Sequence, residues 1–208
     1  MSGGLFDSEF EDMPTVLPVL PFAGSFLFPR CRISLRLFET RYMKLVFNAL
    51  ASSRMIGMVQ PVGDTKDFHK IGCAGRISSF TETEDDVLLV TLYGVSRFEV
   101  VRELPNCPVY RMVESNFKPF KDDFSPKTPK IDREKLFSKL DRYAYSKKID
   151  LNSAVLKKEH DETLLTTIAS LLPFERMEKQ ALLEAKTHRM MLDVMMMLLE
   201  SDFGTKSN

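Results

Sequence analysis

Tryptophan is absent from this 208-residue chain, and glycine and cysteine are scarce at nine and three residues. No GxxxxGK[ST] string occurs, so no glycine-rich nest of backbone N–H groups is expected around nucleotide phosphates. Cys31, Cys73 and Cys107 are odd in number, widely spaced and without a CxxC pair. That pattern points to neither a zinc knuckle nor a disulfide framework, and a reducing cytoplasm is the expected compartment. His69, His160 and His188 are scattered, and no HExxH spacing exists for zinc. No run of apolar residues is long enough for a membrane-spanning helix. The acidic start MSGGLFDSEFEDM lacks the basic and apolar regions of a signal peptide. Charge of one sign is also missing: Lys plus Arg and Asp plus Glu number 29 each. No net field therefore draws the chain to nucleic acid or to an acidic membrane.

What is present describes an ordinary globular protein, 44% hydrophobic and 28% charged. A chain of this length buries roughly 70% of the surface that its unfolded form exposes. Residues 17–50 organise the rest. Pro18, Pro21 and Pro29 suit strand ends and edges, since each fixes φ and removes a backbone donor. Leu27, Phe28, Ile33, Leu35 and Leu37 supply two short strands. Phe38, Tyr42, Leu45, Val46, Ala49 and Leu50 then fall on one face of a helix over about 39–52.

Residues 55–116 read as β. Short apolar runs at 55–60, 71–80 and 87–92 are followed, after an interruption at Gly94, by Phe98, Val100 and Val101. Tyr110, Met112 and Val113 close the series, and TETEDD at 81–86 is a polar hairpin connection. Five or more short strands at this spacing predict a small barrel or folded sheet. Pro119, Pro126 and Pro129 mark a linker over 118–131. The remainder is helical. Asp132 is placed to cap a first helix and Asp161 a later one that Pro173 ends, and a break near Lys186 divides the last stretch. The expected organisation is a flexible tail (1–13), a β-domain with one helix (14–117), a linker (118–131), a helical bundle (132–201) and a tail (202–208).

The strings LPVLPF (17–22) and LFPRCRISLRLFETRY (27–42) carry a resemblance. With IGMVQP (56–61), IGCAGRI (71–77), LYGVSRFEVV (92–101) and LLPFERMEKQALLEA (171–185), they resemble the Lon N-terminal domain family, which opens roughly as LPLxPL…LFPG…LPLxIFExRY. The resemblance runs from Thr15 to Glu200. It implies an α+β fold, a PUA-like pseudo-barrel followed by a helical bundle. It also implies the recognition end of a Lon protease without its ATPase or its Ser–Lys proteolytic domain. Neither ATP hydrolysis nor proteolysis is expected, and no cofactor or metal. Arg30 stands where many relatives have glycine, an uncomfortable choice if the turn needs positive φ.

The individual polar candidates read mainly as structure. Glu39 and Arg41 offer a polar anchor for a bound peptide, or a pair that fixes the helix against the barrel, and the second is favoured. Arg76 and Arg97 offer phosphate or RNA contacts, but no basic run with interleaved aromatics accompanies them. His160, Asp161 and Glu162 read as a solvated helix start, Glu84, Asp85 and Asp86 as a solvated hairpin, and Cys31 and Cys73 as small buried hydrophobes.

The run MMLDVMMMLL (190–199) is apolar around almost its whole circumference. It is either the centre of the bundle or, because methionine is flexible and polarisable, a recognition surface. On the second reading Met191, Met195, Met196 and Leu199 would meet a partner. The favoured function is non-catalytic recognition of unfolded or exposed polypeptide segments, as an adaptor or competitor acting with a protease or chaperone. A homodimer interface is another use for the same helix. RNA binding through a PUA-like barrel is the alternative, disfavoured by zero net charge. A small-molecule enzyme would need convergent titratable groups, which the sequence does not show.

Overall fold

The computed structural model describes residues 9–63, 65–85, 87–105, 109–125 and 130–201. Two compact units divide between Ser125 and Pro126. The first is built on β1 (Val16–Pro21), β2 (Arg32–Leu37), α1 (Thr40–Leu50), β3 (Met55–Val59), β4 (Ile71–Glu82), β5 (Leu88–Glu103) and β6 (Arg111–Asn116). The second holds α2 (Arg133–Lys147), α3 (Ser153–Leu156), α4 (Asp161–Leu171), α5 (Arg176–Glu184) and α6 (His188–Ser201). This is the α+β class expected.

The strands form one sheet in the order β2-β5-β4-β3-β1-β6, and a further β5–β6 pairing closes five of them into a ring. Closure depends on the length of β5. Its first half pairs with β2 (Arg32↔Tyr93 to Leu37↔Leu88), and its end pairs with β6 (Glu99↔Asn116 to Glu103↔Val113). Gly94 does not interrupt this strand. A Cβ there would stand 2.0 Å from the Phe28 carbonyl oxygen, so a side chain is excluded where the 28–31 turn crosses the strand. That turn has the pattern of a type II turn, with Pro29 followed by Arg30 at φ 64°. The arginine in the glycine position of the resembling family therefore does sit in the left-handed region. Arg30 N donates to Gly94 O at 2.7 Å and Gly94 N to Cys31 O at 2.8 Å, which holds the turn on the strand.

Three local expectations change. The first strand begins at Val16 and contains Pro18 and Pro21, whereas Leu27 and Phe28 are buried outside any strand. Phe38 lies before α1 and is 73% exposed, because Glu39 is extended and the helix starts only at Thr40. Of the expected tail, residues 1–8 lie outside the described residues, but Phe10–Asp12 is a 3-10 turn whose Phe10 meets Phe124 edge-on at 5.6 Å.

The segment expected as linker starts as part of the β unit. Lys118–Asp123 is a 3-10 turn with Phe120 and Asp123 buried. Asp123 accepts from Arg97 Nε at 3.0 Å, Arg97 Nη2 at 2.7 Å and the Arg97 backbone N at 2.9 Å. Both side chains are fully buried, and the guanidinium lies 4.6 Å from the Phe120 ring centroid. The pairing explains how a charged strand residue reaches the core. In the same unit, Leu17, Val19, Met55, Val59, Phe98, Val113 and Phe117 belong to one buried apolar cluster.

In the helical unit Asp132 caps α2 by accepting from Lys135 N at 3.1 Å. Asp161 is not a cap. His160 holds the N-cap position of α4, and Asp161 one residue later pairs with Arg133. The 202–208 tail lies outside the described residues.

Two outcomes follow from this packing. Asp123→Ala leaves a buried guanidinium without its carboxylate and is expected to cost about 3–5 kcal/mol, whereas Arg97→Met with Asp123→Leu recovers only part of that loss, because the buried backbone N–H of residue 97 still loses its acceptor; urea denaturation of the full chain reads both. Arg30→Gly relieves the left-handed backbone and is expected to add about 1 kcal/mol, seen as a higher urea midpoint.

Candidate functional site

Helix α1 meets three environments. Leu45, Val46 and Ala49 are buried in the barrel unit. Arg41 and Tyr42 line a groove of about 620 Å³ together with Val19, Pro21, Pro61, Lys66, Asp67, Glu103, Tyr110 and Arg111. Met43 and Phe47 line a smaller pocket of about 120 Å³ with Glu82, Thr83, Val87 and Leu88 of the β4–β5 hairpin. Tyr42 continues the buried stripe of Leu45, Val46 and Ala49 at its N-terminal end, where it is only half-buried, and Met43 with Phe47 forms a neighbouring stripe.

The groove is held from several sides. Gln60, buried just after β3, accepts from Gly24 N at 3.1 Å and donates through Nε2 to Ser25 O at 2.6 Å, which pins the loop after Pro21. Arg111 donates to both oxygens of Glu103, at 2.6 and 2.5 Å, and through Nη1 to Lys66 O at 2.5 Å. Its guanidinium lies 4.1 Å from the Phe68 ring centroid. One arginine thus joins the end of β5, the start of β6 and the 61–68 loop. Its bond to Glu103 holds that carboxyl below the usual glutamate range. Tyr110 is steadied by Asn48, whose Nδ2 donates to the phenol at 2.8 Å. Glu39 and Arg41 pair at 2.7 Å, possible at a spacing of two because Glu39 is extended rather than helical. Burial pushes the Tyr42 phenol above its ordinary pKa.

Proline and aromatic surface (Pro21, Pro61, Tyr42, Tyr110) is therefore framed by three cations, Arg41, Lys66 and Arg111, and two carboxylates, Asp67 and Glu103. Nothing here pairs a nucleophile with a base. Among the described residues, no three His, Cys, Asp or Glu side chains are grouped to hold a metal ion. The groove offers apolar contact with mixed-sign charge at the rim.

Comparison with known proteins gives this arrangement a context. The family profile of the ATP-dependent protease La (LON) substrate-binding domain matches residues 16–201. The chain belongs to that family. A Lon protease of Flavobacterium johnsoniae is 32% identical over 96 residues, which are 43% of this chain and 12% of that protein. A Lon protease of Heliobacterium modesticaldum is 26% identical over 179 residues, 81% of this chain and 22% of that protein. The chain thus spans a minor part of these curated relatives. Among solved structures, the Lon N-terminal domain protein of Xanthomonas campestris superposes with TM-score 0.63 at 24% identity, covering 87% of this chain and 97% of its own. The N-terminal domain of a Mycobacterium avium complex Lon protease gives 0.65 at 16%, covering 89% and 98%. These two establish the likeness of fold.

Within this member of the Lon substrate-binding domain family, the methionine helix is mostly interior. Met191, Met195 and Leu199 are each 0% exposed, and Met196 is partly covered. Helices α2, α4 and α5 all pack on α6, which accounts for its broad apolar face. Met190 and Met197, at 50% and 68%, share the helix's exposed stripe with Arg189, Asp193 and Glu200. Of the sequence-derived candidates, the structure brings Arg41 to the groove and leaves Arg97 sealed against Asp123. Cys73 is buried, with its thiol pKa pushed well up by burial. Cys107 and Asp86 lie outside the described residues. From sequence Tyr110 was named only as part of the closing strand, and Arg111, Glu103 and Lys66 were not singled out; their only signal was a position beside turns.

Removing the guanidinium tests the electrostatics of the rim. Glu103 has a depressed folded-state pKa, so its pairing favours the folded state above the unfolded glutamate value of about 4.3 and is lost as pH falls through the lower folded value. In Arg111→Ala, carbon-detected NMR titration is expected to show the Glu103 carboxyl returned upward to the ordinary range.

Proposed function

We propose that the chain is a non-catalytic polypeptide-recognition module whose binding surface is the pair of concavities flanking α1. The observation that carries this reading is the groove itself, where rigid apolar surface from Pro21, Pro61, Tyr42 and Tyr110 lies within a rim of both charge signs. A polypeptide segment presents that same mixture. On the other side of α1, exposed Phe47 beside Met43 and Val87 accepts an apolar side chain. Exposed aromatic and methionine surface is a marker of protein interaction sites. Membership of the substrate-binding domain family supports the class of ligand, and the similarity to parts of Lon proteases supports a role as adaptor or competitor beside an ATP-dependent protease.

RNA recognition through the barrel has less behind it. Arg97 is committed to Asp123, and the groove's three cations are countered by two carboxylates.

Fluorescence anisotropy with labelled, permanently unfolded casein tests the reading. Tyr110→Ala with Arg41→Glu is expected to weaken binding about tenfold, equivalent to some 1.4 kcal/mol, without lowering the melting temperature appreciably. Equal affinity of the folded variant and the wild type would sink the groove as the binding surface.

A further inference from the structure

The smaller concavity beside α1 differs from the groove in the sign of its charge. Cross-strand register sets two inner-face rows in the β4–β5 hairpin, Leu35–Val90–Phe80 and Leu37–Leu88–Glu82. The first two members of each row are buried, but at the row ends Phe80 is 46% exposed and Glu82 is exposed. Met43 and Phe47 of α1 complete the pocket with Glu82, Thr83, Val87 and Leu88. The chain turns directly afterwards. Thr83 donates to Val87 O from its backbone N at 2.9 Å and from Oγ1 at 3.0 Å, and Glu84 and Asp85 stand exposed in that turn. Among the described residues, the carboxylates of Glu82, Glu84 and Asp85 meet no hydrogen-bond or ion-pair partner, and no Lys or Arg lines the pocket. Lys44 follows Met43 but is turned about 100° from it round the helix. Arg36, in register with Leu89, lies on the opposite face of the sheet.

We propose that this pocket takes one apolar side chain of a polypeptide segment whose neighbouring residues are lysine or arginine. This rests on the reading that polypeptide binds beside α1, and it adds the charge of the segment that this concavity selects. The pocket holds about 120 Å³. Apolar cavities of about 150 Å³ accommodate a benzene-sized group, so one aliphatic or aromatic side chain matches the space. Phe47, 43% exposed, and Phe80 extend the apolar surface on which the segment lies. Burying the central side chain supplies affinity. The three carboxylates supply the choice of sign, since complementary charge on a rim speeds encounter and like charge excludes the wrong partner. An acidic segment meets Glu82, Glu84 and Asp85 with no counter-charge in the pocket lining. Nucleic acid and anionic lipid carry the same disfavoured sign. The groove, with cations and carboxylates together at its rim, makes no such choice. Segments that are apolar and basic together are thus directed to the hairpin side of α1.

The test uses the full chain and three short labelled peptides. One has a leucine flanked by lysines, one a leucine flanked by glutamates, and one a serine flanked by lysines. Anisotropy is expected to show the lysine-flanked leucine bound most tightly, with affinity that falls as salt is raised. Serine in place of the leucine weakens binding about tenfold, and so does Phe47→Ser. Glu82→Lys with Glu84→Lys weakens the lysine-flanked leucine by about tenfold or more and lets the glutamate peptide bind. Should that reversal lower the melting temperature, Glu84→Gln with Asp85→Asn serves, with a smaller loss in the same direction. Tyr110→Ala leaves this binding unchanged, so the groove and the pocket fail separately. Casein bound by a chain that does not distinguish lysine from glutamate peptides would overturn the charge selection and leave polypeptide recognition standing. Binding of neither casein nor peptide would overturn both. Equal affinity for the serine and leucine peptides would reduce the contact to surface charge and remove the pocket from it. A dimer of the free chain that Phe47→Ser disperses, with no peptide bound, would put a second copy in the pocket and overturn the proposal.

Discussion

The β unit depends on the buried pair of Arg97 and Asp123. A guanidinium with no solvent exposure requires a carboxylate with matched geometry, and Asp123 supplies both of its oxygens and also accepts from the Arg97 backbone N. The consequence is more than one ion pair. Holding Asp123 in place fixes the 3-10 turn Lys118–Asp123, and with it Phe120 against the guanidinium and Phe124 against Phe10. Segments from both ends of the unit are thus tied to the middle of β5. Removing either partner of such a pair leaves an uncompensated buried charge, which is why the two segments are tied together.

Strand β5 is the second organising element. It serves β2 and β4 in its first half and β4 and β6 in its second, so one chain segment both extends the sheet and closes the ring. The absence of a side chain at Gly94 lets the 28–31 turn cross it, which positions β2 and leads the chain into α1. Helix α1 is then set with its Leu45, Val46 and Ala49 stripe inside, that stripe's Tyr42 end at the groove and the Met43 and Phe47 stripe at the smaller pocket.

In the helical unit the packing problem is solved differently. Helix α6 has three neighbours, and unbranched methionines at Met191 and Met195 fill the irregular space among them. A broad apolar face is what a helix with several neighbours needs, and the remaining stripe, with Arg189, Asp193 and Glu200, faces solvent. The same breadth of face on a two-neighbour helix would have left a recognition surface. No helix among the described residues is both long and apolar enough to cross a membrane.

The chain's periodicities determined a good deal on their own. The change from strand to helical spacing after residue 38 located α1, Asp132 located the start of α2, and the break near Lys186 separated α5 from α6. The motif strings pointed to the family, and the arginine at position 30 foretold a strained turn. These are local properties, set by repeat length, capping chemistry and backbone sterics. Tertiary structure alone decided the rest, because each point depends on partners distant in sequence. Arg97 and Asp123 are 26 residues apart, and nothing local to either reveals that they meet. Asn48 and Tyr110, which frame the groove, are separated by 62. The role of the methionines turned on how many helices surround α6, a quantity that a single helix's pattern does not contain.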